Sequence, residues 1–158
     1  MAETNGGGPE AVGYLDALAR GARELSAANR FTDGVQRLLA RIGEASGVSR
    51  VWVFQLIELS DDQIVQDYVF EWAAAERYRQ LTLRRFRFFS MTFDDPQFAD
   101  IVAQRSSGVG RSFRLDDFAP GTSWYDYLAT QDLASCAAVP IVVEGRWWGT
   151  LGVDDCVR

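Results

Sequence analysis

The sequence predicts a mixed α/β domain whose strands pair in an antiparallel manner. Apolar residues recur at helical spacing between residues 10 and 46, and from residue 51 they form runs of strand length. Short polar turns separate two pairs of these runs, an arrangement typical of hairpins. The 158 residues suit one domain, which buries about two-thirds of the surface of its unfolded chain.

The first 29 residues predict a tail followed by a helix. Residues 1–9 contain three consecutive glycines and end at a proline, which is typical of a flexible tail. Residues 10–29 carry apolar side chains at heptad-like spacing, namely Leu15, Leu18, Ala22 and Leu25. So narrow a seam suits a contact between helices. We expect this helix either to support dimerisation or to lie on the surface of its own domain.

A second helix is predicted over residues 32–46, where the apolar stripe is wider. Its members are Phe31, Val35, Leu38, Leu39 and Ile42. Thr32 or Asp33 is the expected N-terminal cap, and Gly47 is the expected end of the helix.

Residues 51–59 and 64–72 predict the first hairpin, and a tight register pairs Val53 with Phe70. Side chains alternate between the faces of a strand, so this register assigns them to two sets. One face carries Trp52, Phe54, Leu56, Val65 and Val69. The other carries Val53, Gln55, Ile57, Gln66, Tyr68, Phe70 and Trp72.

The second of these faces combines aromatic rings with polar tips, as a small-molecule cavity does. Buried glutamines suit an ordinary apolar core poorly. The predicted ligand-binding residues are Gln55, Gln66, Tyr68, Phe70 and Trp72, with Trp124 and Tyr127 closing the cavity from a short helix. The alternative is that these aromatic side chains simply fill the core.

The rest of the chain predicts short elements and one more hairpin. Arginines alternate with aromatic residues at 77–89, as in a solvated connection or the lining of an anion site. Helices are predicted at 95–105 and 124–130, and a short strand at 111–115. Two long strands, 135–143 and 146–154, flank a turn at residues 144–145.

Composition excludes several kinds of chemistry. The chain has no His and no Lys, so it has no His-based catalytic triad, no phosphate-binding loop that needs Lys and no lysine Schiff base. A net charge of −6 argues against nucleic acid and anionic membranes as partners. No apolar run is long enough to cross a bilayer, and the acidic N-terminus is unlike a signal peptide. We expect a cytoplasmic protein that is not an enzyme and needs no cofactor.

The two cysteines are the obvious redox candidates. A hairpin turn at residues 144–145 places Cys136 opposite Val153, three residues from Cys156. That separation, about 10 Å, exceeds the span of a disulfide, so no bridge between them is expected. Cys136 suits a buried core position, whereas Cys156 is expected to be reactive if it is exposed. The acidic doublets suit turns and helix caps.

The final hairpin resembles the end of a GAF domain. The residues that carry the likeness are Val139-Pro140-Ile141, Gly145, Trp148-Gly149, Gly152 and Asp154-Asp155. Two earlier segments, 50–54 and 70–72, resemble the first strands of GAF domains in bacterial sensor kinases and cyclic-di-nucleotide enzymes. The likeness covers residues 30–156 in order, and the PAS domain is the alternative fold.

The resemblance implies a central antiparallel sheet of five or six strands. Helices would cover one face, and loops and short helices would enclose a ligand pocket on the other. It also implies a sensory module over residues 30–158 with an unknown small ligand, a homodimer, and an effector such as a kinase or cyclase elsewhere in a larger protein. The alternatives are a dimerisation module with a filled pocket and, less favoured, a cysteine-based reductase.

Three family features are missing. Bilin-binding relatives attach the pigment through Cys beside His, and cyclic-nucleotide-binding relatives use a signature that contains Lys. The family's C-terminal helix is also absent from this sequence, so we expect a truncated domain.

Overall fold

The computed structural model describes residues 9–28 and 30–156. Within these ranges the order is α1 (Pro9–Ala27), α2 (Phe31–Ser46), β1 (Arg50–Leu59), β2 (Gln63–Ala73), β3 (Phe89–Thr92), α3 (Pro96–Ser106), β4 (Arg111–Arg114), α4 (Ser123–Ala129), β5 (Leu133–Val143) and β6 (Arg146–Cys156). The tail predicted at residues 1–9 lies outside these ranges, except for Pro9, which begins α1.

The strands form one antiparallel sheet in the order β3-β2-β1-β6-β5-β4. This confirms the predicted antiparallel sheet. The sequence did not predict β3, a four-residue edge strand that pairs with Gln63–Gln66 of β2. Its alternating pattern is too short to stand out among the arginines and aromatic residues that precede it.

Helices α1 and α2 form a hairpin on one face of the sheet. Val35 and Leu39 of α2 pack against Val51 and Val53 of β1. Gly43 allows α2 to approach the ring of Trp72, because a Cβ at residue 43 would clash with that ring. Helix α2 thereby covers the apolar side chains on this face of the sheet.

The two ends of α2 differ in how well they were predicted. The predicted caps Thr32 and Asp33 are wrong, because the helix begins at Phe31 and Arg30 takes the N-cap position without a side-chain hydrogen bond. The predicted end is confirmed: Gly47 is left-handed, with φ 65°, a conformation that glycine adopts without strain.

The predicted seam of α1 is divided between two environments. Leu25 is half-buried and lies against Gly34 of α2. Leu15 and Leu18 are 68% and 46% exposed, and Ala22 is exposed as well. The N-terminal part of the seam therefore has no covering from the described part of the chain.

A bulge in β2 changes the predicted register of the first hairpin. Val53 pairs with Phe70 as predicted, but Phe54 pairs with Tyr68, so Val69 is the extra residue. Because side chains alternate, the shift turns Tyr68 to the face of Trp52 and Phe54. The prediction that one face carries both Tyr68 and Phe70 is therefore wrong.

The second hairpin also departs from a simple register. The pairing shifts near Trp148, so Cys136 lies opposite Asp154 rather than Val153. Both cysteines are free and buried, so Cys156 does not meet the condition, exposure, under which it is expected to be reactive. Strand β6 extends two residues beyond its predicted end, and the Cys156 backbone N–H donates to Ser49 Oγ at 3.0 Å.

The opposite face of the sheet carries the larger core. Helices α3 and α4 cover this face together with the connections around them, and their buried side chains form one apolar cluster with those of the strands. None of the helices within the described ranges is long and apolar enough to cross a membrane.

Candidate functional site

A partly open cavity of about 40 Å³ lies between the sheet and the layer formed by α3, α4 and the loop at Gln80. A buried water needs roughly 10–15 Å³ of such volume. The cavity therefore has room for about three water molecules, or for a ligand of a few non-hydrogen atoms.

Four of the seven predicted ligand-binding residues surround this cavity. They are Gln66, Tyr68, Trp124 and Tyr127. The other three do not line it.

Phe70, Trp72 and Gln55 belong to the helix-covered face. Phe70 and Trp72 pack in the layer beneath α2, and the ring centroids of Phe70 and Phe31 are 6.3 Å apart. Gln55 follows Val53 by two positions on β1 and so shares its face. On β2, the bulge at Val69 separates Gln66 and Tyr68, which line the cavity, from Phe70 and Trp72, which do not. The sequence pattern contains no sign of this bulge.

Stacked aromatic rings form the walls of the cavity. Tyr127 lies nearly parallel to Phe89 on one side and to Trp124 on the other, with centroid distances of 5.5 and 5.4 Å. Phe54 and Tyr68 stack at 4.6 Å. Burial raises the pKa of both Tyr127 and Tyr68, so their hydroxyl groups stay neutral.

One wall contains a buried ion pair. The Arg50 guanidinium donates to Asp154 Oδ2 from Nε at 2.9 Å and from Nη2 at 2.7 Å, and to the Tyr78 carbonyl oxygen at 3.1 Å. Burial acts to lower the pKa of Arg50, but the charge and hydrogen bonds of Asp154, together with Cys156 and Tyr68, outweigh it and the pKa is raised. Asp154 Oδ1 is buried without an N–H or O–H partner, and the Cys136 thiol opposite makes a weak hydrogen bond to this carboxylate.

A second buried cation, Arg105, has no such partner. It is 6% exposed and lies on the face of α3 that also buries Phe98, Ile101 and Val102. Its Nε makes no hydrogen bond, and no ion pair includes it within the described residues. Burial lowers its pKa.

The sequence analysis missed Arg105, although a signal was available. Phe98, Ile101 and Val102 define an apolar stripe, and residue 105 continues it seven positions after Phe98. A charged residue at that position departs from the pattern of a core-facing helix, and such a departure is a pointer to a site.

Another polar atom of the cavity wall is also unsatisfied. Trp124 Nε1 is buried without a hydrogen-bond partner. It is a donor, as Arg105 Nε is, whereas Asp154 Oδ1 is an acceptor. Buried polar atoms are nearly always paired in folded proteins, so unpaired atoms on three side chains that line one cavity indicate missing partners.

Cys136 also faces the cavity, but its environment is that of an inert thiol. Burial raises its pKa well above the ordinary value, and the neighbouring Asp154 charge raises it further. A nucleophilic cysteine needs the opposite, a lowered pKa and access to solvent. No group of three or more potential metal-ligating side chains occurs among residues 9–28 and 30–156.

The arginine-rich connection turns its charges outward and most of its rings inward, but Phe88 is 62% exposed. Phe86 is fully buried, and Phe89 lines the cavity. The exposed Arg85 lies over the Phe86 ring at 4.9 Å, and Arg87 pairs with Asp67 at 2.8 Å. This arrangement favours the interpretation of the segment as a connection that covers the core.

Glu71 joins the cavity to the helical layer. Its carboxylate accepts hydrogen bonds from the Tyr68 hydroxyl at 2.9 Å, the Gln80 backbone N–H at 2.7 Å and the Leu81 backbone N–H at 3.2 Å. Its own carbonyl oxygen accepts from Gln36 Nε2 of α2 at 2.7 Å. One residue thus contacts a cavity wall, a covering loop and a helix on the opposite face.

The sheet has a helical hairpin on one face and a cavity on the other, and the sequence of residues 31–158 matches the family model of the GAF domain. The chain belongs to the GAF domain family. This confirms the resemblance found in the final hairpin.

Two further comparisons agree with this GAF assignment. The methanogenesis regulatory histidine kinase FilI of Methanothrix harundinacea is 30% identical over 121 residues, which are 77% of this chain and 13% of that protein. The chain therefore spans only a small part of this curated relative. The match supports a sensory role in signalling for this GAF domain.

Solved structures show the same fold at low identity. The phycoerythrobilin-bound GAF domain of a cyanobacterial phytochrome has a TM-score of 0.65 and 14% identity, covering 91% of this chain and 82% of that one. The GAF domain of a phosphoenolpyruvate-protein phosphotransferase from Coxiella burnetii has a TM-score of 0.61 and 13% identity, covering 92% and 79%.

Proposed function

We propose that this GAF domain is a non-catalytic sensor that binds a small molecule in its central cavity. The observation that carries the proposal is the cavity, whose lining side chains Arg105, Trp124 and Asp154 each have a buried polar atom without an N–H, O–H or oxygen partner. Ligand atoms would supply the hydrogen bonds that these groups lack. We propose Gln66, Tyr68, Trp124 and Tyr127 as contact residues.

Glu71 is the proposed route from the cavity to the helices. A ligand that moves Tyr68 or the loop at Gln80 changes the hydrogen bonds of the Glu71 carboxylate, and the same residue is held by Gln36 of α2. Ligand binding can shift an equilibrium only through different contacts in the two states. Hydrogen bonds that one residue makes to both faces provide such a difference.

We propose that the chain works as a homodimer and next to an effector domain of the kinase or cyclase type. Leu15 and Leu18 are exposed on α1 at a spacing that suits a helix–helix seam. The likeness to a histidine kinase, of which this chain spans 13%, supports a linked effector. Two free cysteines suit the reducing cytoplasm, and the net charge of −6 argues against nucleic acid and anionic membranes as partners.

A bilin like that of the phytochrome relative does not fit this cavity. The aromatic side chains of Phe54, Phe89, Trp124 and Tyr127 contact one another along the cavity wall, and the volume of about 40 Å³ is far less than a tetrapyrrole needs. The chain also has no His. The ligand we propose is therefore small.

The competing function is a dimerisation module whose aromatic side chains fill the pocket. Its specific support is the small volume of the cavity. The two functions differ in what should be bound to the purified protein and in how α2 should respond.

Native mass spectrometry of gently purified protein tests both. A dimer with a defined extra mass supports the sensor if removal of the bound compound also changes the hydrogen exchange of α2. A dimer without extra mass, and with unchanged α2 after incubation with a metabolite extract, contradicts it. The double variant Leu15→Glu/Leu18→Glu tests the dimer interface on α1 and should be a monomer. Leu25 is unsuitable for this test, because it packs against Gly34 within the same chain.

A further inference from the structure

We propose that the cavity binds a small carboxylate that carries one negative charge, and that Arg105 holds that charge. This inference rests on the proposed sensor function and names the chemical class of its ligand. It starts from the charges of the cavity wall, which do not balance.

Arg105 and Asp154 are the charged side chains among the described residues that line the cavity. Asp154 is neutralised by Arg50, which contacts its Oδ2 with two nitrogens. Arg105 has no counter-ion within the described residues. Buried charges are normally paired, so the site lacks one negative charge. Water can hydrate the guanidinium but cannot neutralise it.

The orphaned donors indicate the same class of ligand. Arg105 Nε and Trp124 Nε1 both donate, and neither has an acceptor. A carboxylate accepts through two oxygens and matches the planar guanidinium fork. Besides its bonds from Arg50, Asp154 receives only a weak hydrogen bond from the Cys136 thiol, and its Oδ1 has no N–H or O–H donor; a hydroxyl group next to the carboxylate would be a stronger donor. Glycolate combines both features.

The size and shape of the cavity narrow the class further. About 40 Å³ suits roughly three to five non-hydrogen atoms, by comparison with the volume one water needs. The stacked rings of Phe89, Tyr127 and Trp124 give the cavity an apolar wall, which leaves Arg105 as the group that would hold the charge. One unpaired cation matches a monoanion better than a phosphate dianion, and a nucleotide exceeds the volume.

Titration of the dialysed full chain with sodium glycolate and sodium acetate tests the proposal. The readouts are calorimetric binding and the NMR signal of the Trp124 indole N–H, assigned through Trp124→Phe. We expect saturable binding, a shift of that signal, and tighter binding of glycolate than of acetate. Acetamide, the neutral counterpart of acetate, and sodium chloride should produce neither effect.

Arg105→Met should weaken binding at least tenfold. Arg37→Met, which replaces an exposed arginine on α2, is the matched control and should bind like the parent chain. If Arg105→Met does not fold, Arg105→Lys serves instead, because it keeps the charge but loses the planar fork and should bind more weakly.

Several results would overturn the proposal. The first is equal binding of acetamide and acetate, and the second is a variant Arg105→Met that binds carboxylates as tightly as the parent chain. The third is a response to sodium nitrate, titrated as a further planar monoanion, when neither carboxylate produces one. If no carboxylate binds while native mass spectrometry finds a neutral or cationic compound, the ligand class is wrong and the sensor function stands. If neither experiment finds a ligand, both proposals fail.

Discussion

Two arginines face the same core and should respond in opposite ways to the same substitution. Arg50 is buried and paired with Asp154, whereas Arg105 is buried and unpaired. Methionine retains much of the apolar stem of either side chain and removes the charge. Comparing Arg50→Met with Arg105→Met therefore isolates the effect of the counter-ion.

Arg50→Met should lower the free energy of unfolding by about 3–5 kcal/mol, because it leaves the Asp154 carboxylate buried without its partner. Arg105→Met should leave the stability of the ligand-free protein unchanged or raise it by up to about 4 kcal/mol, because an uncompensated charge leaves the core. A change of 1 kcal/mol shifts the Tm by about 2–4 °C in a chain of this length.

Urea unfolding of dialysed protein, in a buffer without carboxylates, measures both effects. Arg37→Met controls for the loss of an arginine from a helix surface and should lie within about 0.5 kcal/mol of the parent chain. A loss of more than about 1 kcal/mol in Arg105→Met would refute the reasoning, because it would mean that the folded protein already compensates this charge. Double replacement by Arg50→Met and Asp154→Leu should recover most of the loss caused by Arg50→Met alone.

Three further predictions concern stability. Glu71→Gln should lower the free energy of unfolding by about 2–4 kcal/mol, as measured by urea unfolding. The amide cannot accept all the hydrogen bonds that the carboxylate accepts, because its NH2 group would face a backbone N–H. Gly152→Ala should cost about 1–3 kcal/mol through overpacking, whereas Gly13→Ala, in open space on α1, should stabilise by about 0.5–1 kcal/mol; thermal melts compare them. Burial raises the pKa of Cys136 and Cys156, so the folded state holds the two thiol protons more tightly than the unfolded state does. The stability that this provides is complete below the unfolded thiol pKa of about 8.5 and is lost as the pH rises above that value. Urea midpoints between pH 7 and 10 measure the decline.

Each of these predictions has a result that would contradict it. Glu71→Gln with parental stability would remove Glu71 as the link between the cavity and α2. Equal melting temperatures for the two alanine variants would mean that residue 152 has room for a Cβ. An unchanged pH profile after replacing Cys136 and Cys156 by Ala would show that the alkaline loss comes from other groups, such as the buried tyrosines.

Much of the architecture could be predicted because it depends on local patterns. The α2 stripe and its end at Gly47 follow from helical spacing and from the conformational freedom of glycine. The long strands follow from apolar runs interrupted by turns. The final hairpin carried enough of a family pattern to indicate the GAF fold, which the family comparison confirms.

The candidate site was predicted less completely because it depends on register and on contacts distant in sequence. Gln66 and Tyr68 reach the cavity, whereas Phe70 and Trp72 face α2, and one bulged residue, Val69, separates them. The same applies to Cys136, which faces Asp154 only because the pairing shifts near the last turn. The sequence shows Arg105 as a charged residue on an apolar stripe. Its lack of a partner cannot be predicted from α3 alone, because a partner would come from another element of the fold.

The sequence by itself determined the types of element, their order, the antiparallel hairpins and the absence of His and Lys chemistry. Those features follow from periodicity, turn residues and composition, which are local properties. Only the tertiary structure decided which face each side chain occupies and which buried charge has a partner. Side chains alternate along a strand, so one extra residue reverses the assignment, and the balance of charges in a core depends on residues that the fold brings together from distant parts of the chain.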